Sequence, residues 1–333
     1  MVSSLALPLL VGLVLLALAF DFLNGLHDAA NAIATVVSTR LLSPLAAVAF
    51  AAFGNFAAYW ITGLHVAETV GKGIIDKDVV TPSVVFGALI GAMFWNVLTW
   101  LKGIPSSSSH ALIGGLLGAG IMHAGFGAVE SSGTIKTISA IFLSPMIGFA
   151  IAMFLMLATS WGFRSVQPRR ANSAFKGLHL ISSAAYSVSH GSNDAQKTMG
   201  VIAVLLYSTG YLGGEFYVPE WVVISCYLAI ALGTLSGGWR IIKTMGTGLT
   251  KLNHHSGFCA STAGSCVVFG ASAMGIPIST THAITGGVVG TGAARRASAV
   301  RWSVASRVIV AWFITIPASA AVAAVFYLLT RLF

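Results

Sequence analysis

Two stretches of this chain carry the residue types of an anion site, and they are nearly the same stretch. Gly103-Ile104-Pro105-Ser106-Ser107-Ser108-Ser109-His110 returns as Gly275-Ile276-Pro277-Ile278-Ser279-Thr280-Thr281-His282, roughly half of the 333 residues further on. A proline followed by hydroxyl residues marks the start of a helix, where backbone N–H groups lack partners and the dipole is positive. Pro105 and Pro277 are expected in the first helical turn. Ser106, Ser107, Ser108 and Ser109, with Ser279, Thr280 and Thr281, then offer N–H and O–H donors together. Two such tips facing each other could surround a tetrahedral oxyanion. Serine and threonine can instead bond back to helix carbonyls and aid packing, but a paralogous pair of runs favours the anion site. His110 and His282 follow one turn in, within bonding range of their neighbours or of a ligand.

A second duplicated element supplies carboxylates. Asn24-Gly25-Leu26-His27-Asp28-Ala29 matches His190-Gly191-Ser192-Asn193-Asp194-Ala195. Asparagine and histidine exchange places around the aspartate, so each copy puts an amide, an imidazole and a carboxylate within about one helical turn. Asn31, Gln196 and Lys197 extend these polar faces. A carboxylate deep in a membrane costs roughly 2.5–3.5 kcal/mol even on insertion scales, so Asp28 and Asp194 are functional candidates. They could bind a coupling cation, carry protons with His27 and His190, or form structural hydrogen bonds between broken helices. Lys197 is placed to pair with Asp194 or to attract the anion, with Gln196 beside it. Asp21, one helical repeat before Asp28, suits an entrance as well as the site itself.

The elements that must position these residues belong to a membrane. The chain is 56% hydrophobic and only 8% charged, against about 25% charged in soluble domains. Its net charge of +9 fits basic cytoplasmic loops and an anionic leaflet rather than nucleic acid. Apolar stretches near 5–22, 44–66, 83–101, 138–163, 199–211, 219–236 and 302–332 have room for helices. Between them lie stretches too rich in Gly, Ser and Thr to face lipid: 25–40, 106–122, 178–197, 241–273 and 279–293. The run from Leu5 to Phe22 lacks a basic leader and continues into motif residues, which predicts a retained helix rather than a signal peptide. Cys226, Cys259 and Cys266 sit in apolar stretches with no disulfide framework or metal spacing.

A hydrophilic segment with four positive and no negative charges, Arg164 to Lys176, interrupts the chain near its middle. It divides a first membrane repeat, 1–163, from a second, 177–333, with 164–176 as a cytoplasmic basic linker. Arg295, Arg296, Arg301 and Arg307 form a second basic cluster for the same side, and the segments of Glu130, Glu215 and Glu220 are expected on the outer side. A looser match of Glu68 to Ile74 with Lys243 to Leu249 completes three blocks in the same order. The predicted fold is an all-α polytopic membrane protein of two homologous, inverted repeats, with broken or re-entrant helices meeting at a midplane site. Inversion requires an odd number of crossings before the linker.

These blocks resemble the inorganic phosphate transporter (PiT) family, which includes the sodium–phosphate symporters of animals. The matching residues are Asn24 to Ala32, Ser189 to Lys197 and both Pro–hydroxyl–His blocks, and the similarity runs over nearly the whole chain. The resemblance implies phosphate uptake by symport, an inverted-repeat fold and a homodimer. It implies cation and substrate roles for Asp28, Asn31, Asn193 and Asp194, and a phosphate cradle at Ser106 to Ser109 and Ser279 to Thr281. Many sodium-coupled members carry Asn-Asp in both acidic motifs. His27-Asp28 here looks like the bacterial low-affinity transporters, which use protons and move phosphate partly as a neutral metal–phosphate complex. A PhoU-like regulatory protein accompanies many short bacterial members.

The expectation is therefore a secondary transporter in the bacterial inner membrane, importing inorganic phosphate with protons and using no resident cofactor. Sulfate on the same scaffold is the nearest rival, and sodium is the rival coupling ion. Sulfate cannot donate a hydrogen bond as phosphate does, so nearby carboxylate acceptors favour phosphate. An intramembrane aspartyl protease built on Asp28 and Asp194 would leave both hydroxyl blocks unexplained. A passive channel would follow the phosphate gradient regardless of the proton gradient.

Overall fold

The computed structural model describes residues 7–332; Leu5 and Ala6, in the first apolar run, lie outside them. Twelve α-helices follow one another, six in each half of the chain. The first six are α1 (Leu7–Ser38), α2 (Pro44–Ala57), α3 (His65–Lys72), α4 (Pro82–Lys102), α5 (Ser108–Ala124) and α6 (Ser131–Gly162). The second six are α7 (Pro168–Ser208), α8 (Glu220–Ser236), α9 (Trp239–Lys243), α10 (His254–Ala273), α11 (Thr280–Arg295) and α12 (Trp302–Leu329). Each duplicated block falls on the corresponding element: the acidic motifs on α1 and α7, the hydroxyl blocks at the starts of α5 and α11.

Among the described residues four helices, α1, α4, α6 and α12, are long and apolar enough to cross a membrane. Two further spans are broken. The chain turns by 85° between α2 with its short extension and α3, and by 64° between α8 and the α9 segment. The apolar stretch 44–66 is thus two helices, because Gly63 and its neighbours leave the helix there. Other expected boundaries vanish. The run 5–22 and the polar run 25–40 fuse into α1, and 178–197 and 199–211 fuse into the 41-residue α7. α7 is too polar to read as an apolar span, and its polar residues from Ser182 to Thr198 are largely buried against protein. Most of segment 164–176 is helical, since α7 begins at Pro168.

Small residues let the halves interlock, as expected where lipid offers no hydrophobic drive to pack. A Cβ at Gly25 of α1 would lie 2.2 Å from the Ile230 carbonyl oxygen of α8, and one at Gly191 of α7 would lie 2.4 Å from the Asn55 oxygen of α2. The same correspondence holds for α5 on α12 and α11 on α6. A Cβ at Gly118 would lie 2.2 Å from the Ala320 carbonyl oxygen, and one at Gly290 2.4 Å from that of Phe149. Each half therefore wraps helices of the other.

The two ends of the bundle differ in charge. α6 is 32 residues long, about 48 Å at helical rise, with Glu130 before its start and Arg164 beyond its end. At the Glu130 end the charges are mixed, with Glu68, Lys72, Glu130 and Lys136 lining one cavity. At the opposite end Phe175 stacks on His255 at 4.1 Å, and Arg295 donates to the Lys251 carbonyl.

The glycine crossings yield a stability test. Gly118→Ala forces α5 off α12 and should cost about 1–3 kcal/mol, lowering the thermal midpoint of the detergent-purified protein by several degrees. Gly12→Ala, where a Cβ meets nothing within 4 Å, should leave that midpoint unchanged or slightly raised.

Candidate functional site

Both hydroxyl blocks start their helices in the same way. A left-handed glycine, Gly103 (φ 63°) or Gly275 (φ 67°), ends the preceding helix, a conformation that disfavours any residue with a Cβ. The chain then runs extended through Ile-Pro. Ser107 caps α5 by accepting the His110 N–H at 3.2 Å, and Ser279 caps α11 by accepting the His282 N–H at 3.2 Å. This corrects the expectation for the prolines: Pro105 and Pro277 precede the caps and lie outside the helices. The side chains free to face a ligand are therefore those after the caps.

The two tips meet. Ser109 Oγ donates to the Ile278 carbonyl at 3.1 Å, and Thr281 Oγ1 reaches the Ser106 carbonyl at 3.2 Å. Ser106 and Ile278 are equivalent positions, so each tip grips the backbone of the other. The acidic motifs dock onto this clasp. Ser108 Oγ donates to Asp28 Oδ2 at 2.7 Å, and Thr280 Oγ1 donates to Asp194 Oδ2 at 3.1 Å. Asn31 Nδ2 donates to Thr281 Oγ1 at 2.8 Å, while Lys197 Nζ donates to Ser109 Oγ. Lys197 also donates to Asp194 Oδ1 at 2.6 Å and to the Ile278 carbonyl at 2.8 Å. All three of its protons are used, and the ammonium serves the acid and the cradle at once.

The imidazoles complete the arrangement. His27 Nδ1 lies 2.9 Å from Asp28 Oδ1, and its Nε2 lies 3.1 Å from Thr99 Oγ1. His190 Nε2 is 3.2 Å from Asp194 Oδ2 without hydrogen-bond alignment, and its Nδ1 is 3.0 Å from Asn55 Oδ1. Asn193 Nδ2 donates to Ser272 Oγ at 2.9 Å. Asp28, His190 and Asp194 each bring a ligand atom within 4.8 Å of the others. Asn193 Oδ1 and Asn24 Oδ1 have no hydrogen-bond partner. Carboxylates, an imidazole and free amide oxygens suit a small cation.

Every predicted site side chain is buried. Gln196 turns away from the clasp. Its amide accepts from Val66 N–H at 3.0 Å and donates to the Gly63 carbonyl at 2.7 Å, which pins the break before α3. Asp21 is fully buried, with both oxygens unpartnered, so it does not sit at an exposed entrance. Thr99, Asn55 and Ser272 are supports that the motif pattern missed. Their signal was a lone polar residue inside an apolar run. Gly54-Asn55 and Gly233-Thr234 also form a faint fourth repeat, and Asn55 Nδ2 bonds Thr234 Oγ1 at 2.8 Å.

A cavity of about 440 Å³ lies between α3, the start of α6 and residues 273–277, and reaches Pro277. On the equivalent face of the other tip there are hydrogen bonds: Thr244 Oγ1 donates to the Gly103 carbonyl at 2.9 Å, and Arg240 Nη1 to that of Leu101 at 2.8 Å.

Residues 24–323, which contain both acidic motifs and both tips, match the phosphate transporter family PHO4. The chain belongs to that family. It is 60% identical over 325 residues to a probable low-affinity inorganic phosphate transporter of Rhizobium meliloti, covering 98% of this chain and 97% of that one. A protein of Bacillus subtilis with the same description is 41% identical, with 99% of each chain covered. Among solved structures, one described as the sodium-dependent phosphate transporter superposes with a TM-score of 0.90 at 25% identity, covering 98% of this chain and all of that one. The chain is thus a multi-pass membrane protein of a transporter family.

The role of Gln196 outside the clasp is measurable. Gln196→Leu removes the bonds that hold the α3 start, each worth about 1 kcal/mol. Hydrogen exchange of the Val66 and Ala67 amides should rise about tenfold or more, with the α5 and α11 amides unchanged.

Proposed function

We propose that this protein imports inorganic phosphate across the bacterial inner membrane together with protons. One observation carries the reading: two hydroxyl-capped half-helices clasp each other beside a buried Asp pair and a single lysine. The two helix starts contribute about +0.5 charge each. With Lys197 they roughly balance Asp28 and Asp194, so a phosphate dianion arrives with nothing left to neutralise it. A positive partner must enter with it, because an unpaired charge in this interior is prohibitive. The donors of Ser106 to Ser109 and Ser279 to Thr281, with Lys197, would take the anion, each hydroxyl exchanging its present acceptor for a phosphate oxygen. Asp28, Asp194, Asn31, Asn193, His27 and His190 would hold the positive partner. Gln196 would act through α3.

Two homologous halves, 1–163 and 177–333, inverted relative to each other, would shift to expose the site alternately. The basic linker 164–176 faces the cytoplasm in this reading, in line with the basic residues gathered at that end of the bundle. A homodimer, a PhoU-like regulator and a divalent metal carried with phosphate follow from the family resemblance. Sodium coupling is the second reading. The unpartnered oxygens of Asn193, Asn24 and Asp21 favour it, as does the sodium dependence named for the solved relative.

Labelled phosphate uptake into proteoliposomes, with pH and sodium gradients imposed separately, decides between them. A proton gradient alone should drive accumulation; a requirement for sodium, with indifference to pH, would overturn the coupling. Asp28→Asn and Asp194→Asn should each abolish uptake while still inserting. Unlabelled sulfate should compete poorly against labelled phosphate, and equal competition would make sulfate an alternative substrate.

A further inference from the structure

His110 and His282 occupy equivalent positions in the two hydroxyl blocks and meet in the fold. Their rings lie 4.4 Å apart between centroids at 66°, with exposures of 1% and 0%. Both ring nitrogens of His110 and Nε2 of His282 have no hydrogen-bond partner. His282 Nδ1 has only the Ile141 carbonyl of α6, at 3.5 Å. The indole of Trp312 on α12 stacks on His282 at 3.8 Å. Unpartnered polar groups at this depth are costly, and two at symmetric positions call for a ligand that comes and goes.

The aspartates are poor candidates for that ligand if it is a proton. Asp28 already accepts from Ser108 and faces Thr281 and His27; Asp194 accepts from Lys197 and Thr280. A carboxylate whose oxygens already accept from several donors offers a proton less room than an unpartnered ring nitrogen. The histidine pair has lone pairs free.

We propose that His110 and His282 together carry the coupled proton, as an imidazolium–imidazole pair seated one turn behind the two cradle tips. The proposal rests on the proton-coupled reading above and moves the proton from the Asp28–Asp194 cluster to these two rings. The proton enters with phosphate, resides on a ring nitrogen of one of the two histidines, and leaves when phosphate leaves. Without the anion, the ammonium of Lys197, bonded to the neighbouring Ser109, and the positive ends of α5 and α11 repel a proton from the pair. Tyr186 spends its hydroxyl proton on the Thr280 carbonyl, and the two aspartates are matched by their own donors. α6 and α12 bring Lys136 and Arg307, each more than a helical turn from the contact, while Lys102 of α4 and Arg295 of α11 stand at the far ends of their helices. An anion in the cradle reverses the sign of this field, so proton and phosphate bind with positive coupling, each favouring the other by the same factor.

The sign follows from linkage. Bound phosphate raises the proton affinity of the pair, so phosphate affinity is highest at low pH. It falls by up to about tenfold per pH unit for one linked proton as pH rises through the titration of the pair.

The test is isothermal titration of the purified full-length protein with inorganic phosphate, across pH and in buffers of different ionisation enthalpy. Wild type and His110→Asn/His282→Asn are compared. Phosphate's own titration contributes equally to both, so the difference reports the pair. The variant should take up about one proton fewer per phosphate, with a flatter pH dependence that converges on wild type at alkaline pH. Equal proton uptake by variant and wild type would overturn the proposal. Wild type that takes up no proton beyond phosphate's own would instead overturn the proton-coupled reading itself. Should the double variant misfold, ¹⁵N-histidine NMR of wild type at fixed pH replaces it, with His110→Asn and His282→Asn used only for assignment. Phosphate should convert one imidazole of the pair to imidazolium. Conversion of His27 or His190 alone would refute the assignment.

Discussion

Everything in this molecule is arranged around the exposed ends of two half-helices that cannot reach water. Such an end leaves N–H groups and hydroxyls without partners, and at membrane depth that cost is several kcal/mol for each group. The two ends meet it by satisfying each other: Ser109 bonds the backbone before one cap and Thr281 the backbone before the other. The glycine crossings of α5 on α12 and α11 on α6 bring the tips close enough for this. The bent pairs and the left-handed glycines supply the room in which a helix can begin inside the bundle. Remove the clasp and the acids, the lysine and the amides have no reason to gather.

The halves are nearly equivalent, and the chemistry lives in the difference. Asn31 and Lys197 occupy matching positions and make matching bonds to Thr281 and Ser109, but only one of them carries charge. A symmetric pair of lysines would hold both aspartates in closed ion pairs and leave no call for a further cation. A symmetric pair of asparagines would leave two bare carboxylates against an incoming anion. One lysine puts the empty site close to neutrality. The donors there are already committed to the protein's own carboxylates, carbonyls and hydroxyls, so an anion must win each hydroxyl from an existing bond. Binding therefore returns only the difference between two hydrogen bonds, which holds affinity down and makes release easy.

The duplicated blocks were legible in the sequence because chemistry constrains them twice. The hydroxyl runs, the aspartates and Lys197 converge as their spacing indicated. The helix boundaries were less legible. Gly, Ser and Thr between 25 and 40 look like a break on a hydropathy scale, yet α1 runs through them because protein, not lipid, surrounds that stretch. The prolines lie three positions before the first helical residues, Ser108 and Thr280, because Ser107 and Ser279 outcompete them as the start of the helix: a hydroxyl cap bonds an N–H, whereas proline only tolerates its absence. Gln196 looked like a site residue since it adjoins Lys197, but neighbouring residues on a helix point about 100° apart. Asn55, Thr99 and Ser272 carry no motif; only the three-dimensional pairing of α2, α4 and α10 with the acidic helices gives them meaning.

The two faces of the clasp are not in the same state. Beside Gly275 to Pro277 there is a cavity rimmed by Glu68, Lys72, Glu130 and Lys136, at the end of the bundle away from the basic segments. Beside Gly103 the matching space is filled, with the segment after α8 bonded to the Gly103 and Leu101 carbonyls. Nearly equivalent sequences thus pack differently: α3 lies against Gly275 with a cavity beside it, whereas the segment after α8 bonds the carbonyls of Leu101 and Gly103. Because the tips grip each other, opening one face by moving its bent helix need not disturb the other face.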